Sequence, residues 1–315
     1  MRAVREVSLL DSGTVLPSKE GHAEFRGYRT WYRVVGDLGS GKLPLVTLHG
    51  GPGGTHDYLE PYSRLAAEGR AVIFYDQLGA GRSTHLRDKG ADFWTVELFL
   101  AELDNLLRHL GIEKGYHLLG QSWGGMLGAE HGVRRPAGLR SLVISDSPAS
   151  MVLWVQEADR LREALPPEVQ QALLRHEAAG TTDSPEYATA VRVFYDRHLC
   201  RLDPWPESLN RSFQYMQEDP TVYHTMNGPS EFHVVGTLKT WSIIDRLARI
   251  QAPVLLISGR HDEATPATVQ PYADRIPDVH WRIFEESSHL PHLEEGEACL
   301  KLVADFLAAN ERRGE

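Results

Sequence analysis

The sequence predicts an α/β protein: a mostly parallel sheet flanked by helices, with a helical segment inserted into it. Three observations carry this. Short apolar runs at 44–48, 71–75, 116–119 and 253–258 have the length and composition of strands buried on both faces. Helical stretches alternate with such runs, which calls for parallel strands joined by right-handed crossovers. From about Pro148 to Asp245 the strand rhythm stops, and it resumes at Pro253.

Each element has its own local reason. Ala23 to Val35 is rich in strand formers around Gly27 and reads as an antiparallel hairpin, whereas residues 1–21 show no clear pattern. Leu43 to Leu48 empties into His49-Gly50-Gly51-Pro52-Gly53-Gly54, a loop too glycine-rich to be mere connection. Ala71 to Tyr75 repeats the pattern and ends in Asp76-Gln77-Leu78-Gly79-Ala80-Gly81-Arg82-Ser83. Val96, Phe99, Leu100, Leu103, Leu106, Leu107 and Leu110 recur at helical spacing, with Asp92 or Thr95 as N-cap and Gly111 just past the end. A strand over 116–119 precedes Gly120-Gln121-Ser122-Trp123-Gly124-Gly125, and a helix follows from Met126. Further strands are expected at 139–145, 253–258 and 279–284, and a closing helix carries Ala298, Leu300, Leu302, Val303, Phe306 and Leu307. The segment 148–245 is helical, broken by Pro166, Pro167, Pro185, Pro204, Pro206, Pro220 and Pro229, and is expected to fold over the sheet.

Composition bounds the function. The chain of 315 residues carries 33 Lys and Arg against 43 Asp and Glu, a formal charge of −10, without long blocks of one sign. That argues against nucleic-acid and anionic-membrane partners. No apolar run reaches about 18 residues, and no basic start precedes an apolar stretch, so a cytoplasmic protein is expected. Cys200 and Cys299 lack metal-ligand spacing and read as plain thiols.

In open parallel sheets ligands bind beyond the carboxyl ends of the strands, and here those ends carry the reactive residues. Ser122 follows one strand, Asp262 and Glu263 another, His289 a third. The order serine, acid, histidine is that of a nucleophile-elbow hydrolase. A serine hydroxyl is un-ionised at neutral pH and needs a base, the role read for His289, with Asp262 holding the imidazole tautomer. Backbone N–H groups of Gly51 and Trp123 are the expected donors to an oxyanion. Competing assignments are His292, His261 and His49 for the base, and Glu263 or Asp146 for the acid; His49 reads as a loop support. No metal or organic cofactor is called for.

Taken together, His49-Gly50-Gly51-Pro52-Gly53, Tyr75-Asp76-Gln77 through Arg82-Ser83, Gly120-x-Ser122-Trp123-Gly124-Gly125, Asp262-Glu263-x-Thr265-Pro266 and Ser288-His289 resemble the proline iminopeptidase family of α/β-hydrolases. The resemblance spans nearly the whole chain. It implies an eight-stranded hydrolase core over 1–147 and 246–315, a helical cap over 148–245, and release of an N-terminal residue from a small peptide, amino acid amide or arylamide, by a monomer or small homo-oligomer. It also implies recognition of the free amino group by two glutamates, which carry over onto Glu231, within Met226-Asn227-Gly228-Pro229-Ser230-Glu231-Phe232, and onto Glu263. Ser230 stands where the family pattern has asparagine. Ser-Trp-Gly-Gly places the chain nearer the branch of broad aminopeptidases and amino acid amidases. A carboxylesterase, lactonase or N-acyl amide hydrolase with the same three residues and no amine recognition is the alternative. Clustering of Glu231, Glu263 and Asp262 is expected to raise the proton affinity of at least one carboxylate.

Overall fold

The computed structural model of the protein describes residues 7–9 and 15–311. The extreme ends of the expected division, 1–6 and 312–315, lie outside the described residues, as do 10–14. Nine strands form one sheet in the order β1-β2-β3-β5-β4-β6-β7-β8-β9. The expected eight are β2 to β9, and β1 (Val7–Leu9) adds a three-residue edge paired with β2.

The predicted hairpin is β2 (Val15–Phe25) and β3 (Tyr28–Val35), antiparallel and turning at Arg26-Gly27, both with positive φ. That is the two-residue turn whose twist suits a hairpin. Strand β2 starts earlier than the pattern indicated, because Ser18, Lys19, Glu20 and His22 are polar and yet pair with β3. The parallel part comprises β4 (Leu45–Leu48), β5 (Val72–Tyr75), β6 (Tyr116–Gln121), β7 (Leu139–Ser145), β8 (Val254–Gly259) and β9 (Val279–Phe284). Every residue of β4, β5, β6 and β8 is buried, as continuous apolar runs require, while edge strand β9 is only partly covered.

Alternate residues face opposite layers. Val46, Leu48 and Leu118 pack with α1 (Val96–His109), α2 (Trp123–Val133) and α8 (Pro266–Arg275) through Leu103, Leu106, Leu127 and Val269. Leu45, Val72, Leu119 and Leu255 face α10 (Gly296–Asn310) through Leu300, Val303 and Phe306. Of the two N-cap options for α1, Thr95 does the work: its hydroxyl accepts from Leu98 N at 3.2 Å. A 3₁₀ stretch over His56–Glu68, which no periodicity announced, fills the space between β4 and β5.

Between β7 and β8 the chain forms α3 (Met151–Glu163), α4 (Pro167–Ala179), α5 (Pro185–His198), α6 (Glu207–Glu218) and α7 (Thr221–Met226). Pro167 and Pro185 sit in the first turns of α4 and α5, where the missing N–H costs nothing. The remaining short helix, α9 (Pro291–Glu294), follows β9. No helix among the described residues is long and apolar enough to cross a membrane.

The sheet order places β5 on one side of β4 and β6 on the other. The strand order reverses there, and a crevice opens beyond the carboxyl ends of the strands. The loops after β4, β5 and β6 meet at that point.

Candidate active site

Ser122 stands between β6 and α2 with φ 55° and ψ −123°, a conformation that non-glycine residues rarely adopt. The turn is tight enough to exclude side chains on either side. A Cβ on Gly120 would lie 2.0 Å from Gly124 O, and one on Gly124 would lie 2.0 Å from Leu48 O. The glycines therefore let β6, α2 and β4 close on one another and hold the serine out of the sheet.

His289 lies between β9 and α9, with its Nδ1 2.6 Å from Asp262 Oδ1. Asp262 Oδ1 also accepts from Ala264 N at 2.7 Å. The two loops come together because β8, which leads into the first of them, ends in Gly259, where a Cβ would meet Ser288 O at 1.9 Å. Glu294 fixes the histidine loop: its carboxylate accepts from Ser288 N and Ser288 Oγ at 2.8 Å each. Burial works against the imidazolium, but the charge and hydrogen bond of Asp262, with Glu231 behind them, hold His289 above the ordinary histidine value.

The other histidines separate cleanly. His292 is buried, stacked on Tyr62 and hydrogen-bonded to Tyr58 O at 3.0 Å, and burial lowers it to about 4. His49 donates from Nδ1 to Gly50 O at 2.9 Å and accepts Gln77 N on Nε2, also at 2.9 Å, which makes it the loop support its position suggested. Burial lowers it to about 4 as well.

Ser122, His289, Gly51, Glu231 and Glu263 line a single cavity enclosing ≈ 50 Å³ of free volume. Trp123 joins Gly51, Ser122 and Glu231 around an adjoining recess. The Trp123 N–H opens α2 and so has no acceptor within the helix. Glu231 accepts the Tyr223 hydroxyl at 2.7 Å, and its carbonyl accepts Trp154 Nε1 at 2.7 Å. Both carboxylate oxygens of Glu263 are buried without a hydrogen-bond partner, with Oε1 3.9 Å from His289 Nε2. Burial raises Glu263 well above the ordinary carboxyl value, Glu231 and Asp262 adding to it. Burial raises Glu231 too, against the Tyr223 hydrogen bond and His289. The expected rise in proton affinity is present, with desolvation rather than like charge as its first cause.

Sequence reasoning passed over the residues that hold this arrangement. Gln121 donates to His289 O at 3.0 Å and accepts the Tyr58 hydroxyl at 2.6 Å, while that hydroxyl accepts Gly50 N at 2.7 Å. Gln77 donates to His49 O at 3.1 Å and accepts Trp123 Nε1 at 2.9 Å. Both glutamines sit inside the motifs, at positions where a buried amide bridging loops was the signal to look for; Tyr58, in an irregular stretch, gave none. Ser230 is buried in the segment between β7 and β8, 3.1 Å from Tyr187 OH and accepting His233 N at 3.2 Å, so its hydroxyl serves its own turn.

One further group has metal-ligand spacing among the described residues: His56, Asp57 and Glu60. Its carboxylates already face cations, Asp57 with Arg211 at 2.9 Å and Glu60 with Arg33 at 3.0 Å. That group is an ion-pair cluster.

Residues 44–296 match the family described as the alpha/beta hydrolase fold. A proline iminopeptidase of Clostridium botulinum is 37% identical over 293 residues, covering 93% of this chain and 99% of its own. The chain belongs to the proline iminopeptidase family. Among solved structures of similar fold, the proline iminopeptidase of Mycobacterium smegmatis aligns with a TM-score of 0.87 at 51% identity, covering 94% of this chain and 100% of its own. The structure of VinJ aligns at 0.91 and 59% identity, covering 92% and 98%. Membership of this family makes the protein a hydrolase of the α/β fold.

Proposed function

We propose that the protein is a serine aminopeptidase or amino acid amidase, hydrolysing the amide bond after an N-terminal residue whose α-amino group is free. Ser122 Oγ attacks the carbonyl carbon as His289 Nε2 takes its proton, and the backbone N–H groups of Gly51 and Trp123 receive the developing oxyanion. His289 returns the proton to the leaving amine. Water then adds to the acyl-enzyme by the same base, and the amino acid departs. Asp262 keeps the Nδ1 proton in place throughout.

The observation that carries the specificity is Glu263. A buried carboxyl with two unpartnered oxygens costs stability, and it is tolerable where a cationic ligand completes it. Glu231, which lines the same cavity, supplies a second acceptor, and segment 148–245 acts as the lid that shuts out water. Small peptides, amino acid amides and arylamides are the substrates that fit. An esterase or lactonase acting on a neutral acyl chain would leave Glu263 unpaired in the complex. The test is hydrolysis of an amino acid arylamide by Glu231→Gln and Glu263→Gln. Each is expected to lose roughly 10- to 100-fold in kcat/KM, the worth of one hydrogen bond between charged groups. Wild-type rates in both variants would refute amine recognition, and full activity in Ser122→Ala would refute the nucleophile.

A further inference from the structure

Asp146 ends β7 in a left-handed conformation, φ 51°, and is wholly buried. Strand β7 pairs with β8, so the residue sits beside the loop that carries Asp262. Its Oδ1 accepts Gly259 N at 3.0 Å and its Oδ2 lies 2.5 Å from Ser145 Oγ. The carboxyl of Asp262 is within hydrogen-bonding reach. Of the two Asp262 oxygens, Oδ1 already takes His289 Nδ1 and Ala264 N, whereas Oδ2 is buried and finds no ordinary donor.

Two carboxylates in contact inside a protein cannot both stay ionised. The Asp262 carboxylate holds His289 Nδ1 at 2.6 Å. Asp146 has neighbours that do not favour charge: Asp262 after β8, Tyr58 and Tyr62 on the 3₁₀ stretch, and Cys299 on α10. His289 stands on the Oδ1 side of Asp262.

We propose that Asp146 is a positioning residue that stays protonated and donates its O–H to Asp262 Oδ2, fixing the rotamer of the acid that orients His289. The neutral carboxyl satisfies each of these partners: its carbonyl oxygen accepts from Gly259, its hydroxyl donates to the orphaned Asp262 oxygen, and a remaining lone pair accepts from Ser145. Burial, followed by the neighbouring Asp262, raises its proton affinity well above the ordinary carboxyl value. By sharing the charge of Asp262, it also limits how strongly that carboxylate binds the imidazolium proton. The inference rests on the Ser122, His289 and Asp262 assignment above.

A fluorophosphonate carries no amine for the glutamates to bind, so the pH dependence of Ser122 labelling reads the histidine in its own surroundings, the same in every variant but for residue 146. Asp146→Ala takes away the donor. Its labelling limb moves upward by about half a pH unit, because Asp262 then acts on His289 with undivided charge, and its plateau rate falls several-fold, because the rotamer of Asp262 is no longer fixed. Asp146→Asn keeps a donor in the same place, and asparagine also accepts left-handed backbone. It restores the limb to the wild-type position and the rate to within about threefold of wild type. A downward shift of about one unit in Asp146→Asn would mean that the native residue is ionised, and the proposal falls. It falls equally if Asp146→Ala shows a lower rate with an unmoved limb, the mark of a merely structural residue, or no change at all. Absence of labelling in the wild type would instead overturn the serine assignment on which the proposal stands.

Discussion

At the residue scale, the site is set by how burial treats ionisable groups. His289 is held above the ordinary histidine value despite burial because Asp262 stands against Nδ1. Serine attack needs the neutral imidazole, so labelling of Ser122 should be lost on acidification through a pKa above 6.5, the ordinary histidine value. A limb at or below that value would contradict the pairing. Replacing Ser122 by alanine should remove turnover by about 10⁴-fold or more while leaving the melting temperature within a few degrees, as measured by arylamide hydrolysis and thermal unfolding. The sequence exposed these residues because each follows a strand, and chemistry beyond strand ends is a topological rule rather than a packing detail. It did not expose Gln77, Gln121 or Tyr58, whose importance lies in contacts between loops distant in the chain. Asp146 was visible only as a rival to Asp262, and its contact with that residue depends on the pairing of β7 with β8.

At the scale of elements, glycines at strand ends decide whether the loops can meet. Gly259→Ala would force Ser288 O away from a Cβ built at 1.9 Å, separating the loops that bring Asp262 to His289. The expected outcome is a folded protein whose kcat falls by about 10²-fold, since a misplacement of roughly 1 Å costs that much. Unchanged kcat would mean the two loops are not held by that approach. The sequence made the core elements legible: β4, β5, β6, β7, β8 and β9 all fall on predicted runs, differing by a residue or two at their ends. Strand β6 runs on to Gln121, because Gly120 and Gln121 pair with Ile144 and Ser145 before the chain turns. The 3₁₀ stretch over 56–68 was not legible, since Pro61 interrupts any helical period and its buried residues answer to tertiary contacts.

For the whole molecule, the pocket proposed to bind an amine is a cost in stability, because it keeps Glu263 buried without a partner. Glu263 keeps its proton in the folded state at pH values where the unfolded chain has released it. Folding therefore takes up a proton, and stability falls as pH rises from the ordinary carboxyl value, 4.5, toward the raised native one. Glu263→Gln should accordingly melt above wild type at about pH 8 and close to it near pH 4.5, the reverse of its effect on catalysis. A lower melting temperature at alkaline pH would show that the carboxyl is paired in the empty protein. The helical segment between β7 and β8 was recognisable from lost strand rhythm and frequent prolines. The positions of Glu231 and Tyr223 within it were not derivable from periodicity, because they depend on how α5, α7 and the following loop pack over the sheet.

The central claim is that an activated serine lies beneath a lid whose acidic side chains receive a protonated amine. Its most direct test compares kcat/KM of the wild-type protein for one amino acid arylamide and for the N-acetyl form of the same compound. Acetylation removes the cation and leaves two buried carboxyls facing a neutral amide, so the free amine should be preferred by about 10²-fold or more. Equal turnover of the two compounds would contradict the account.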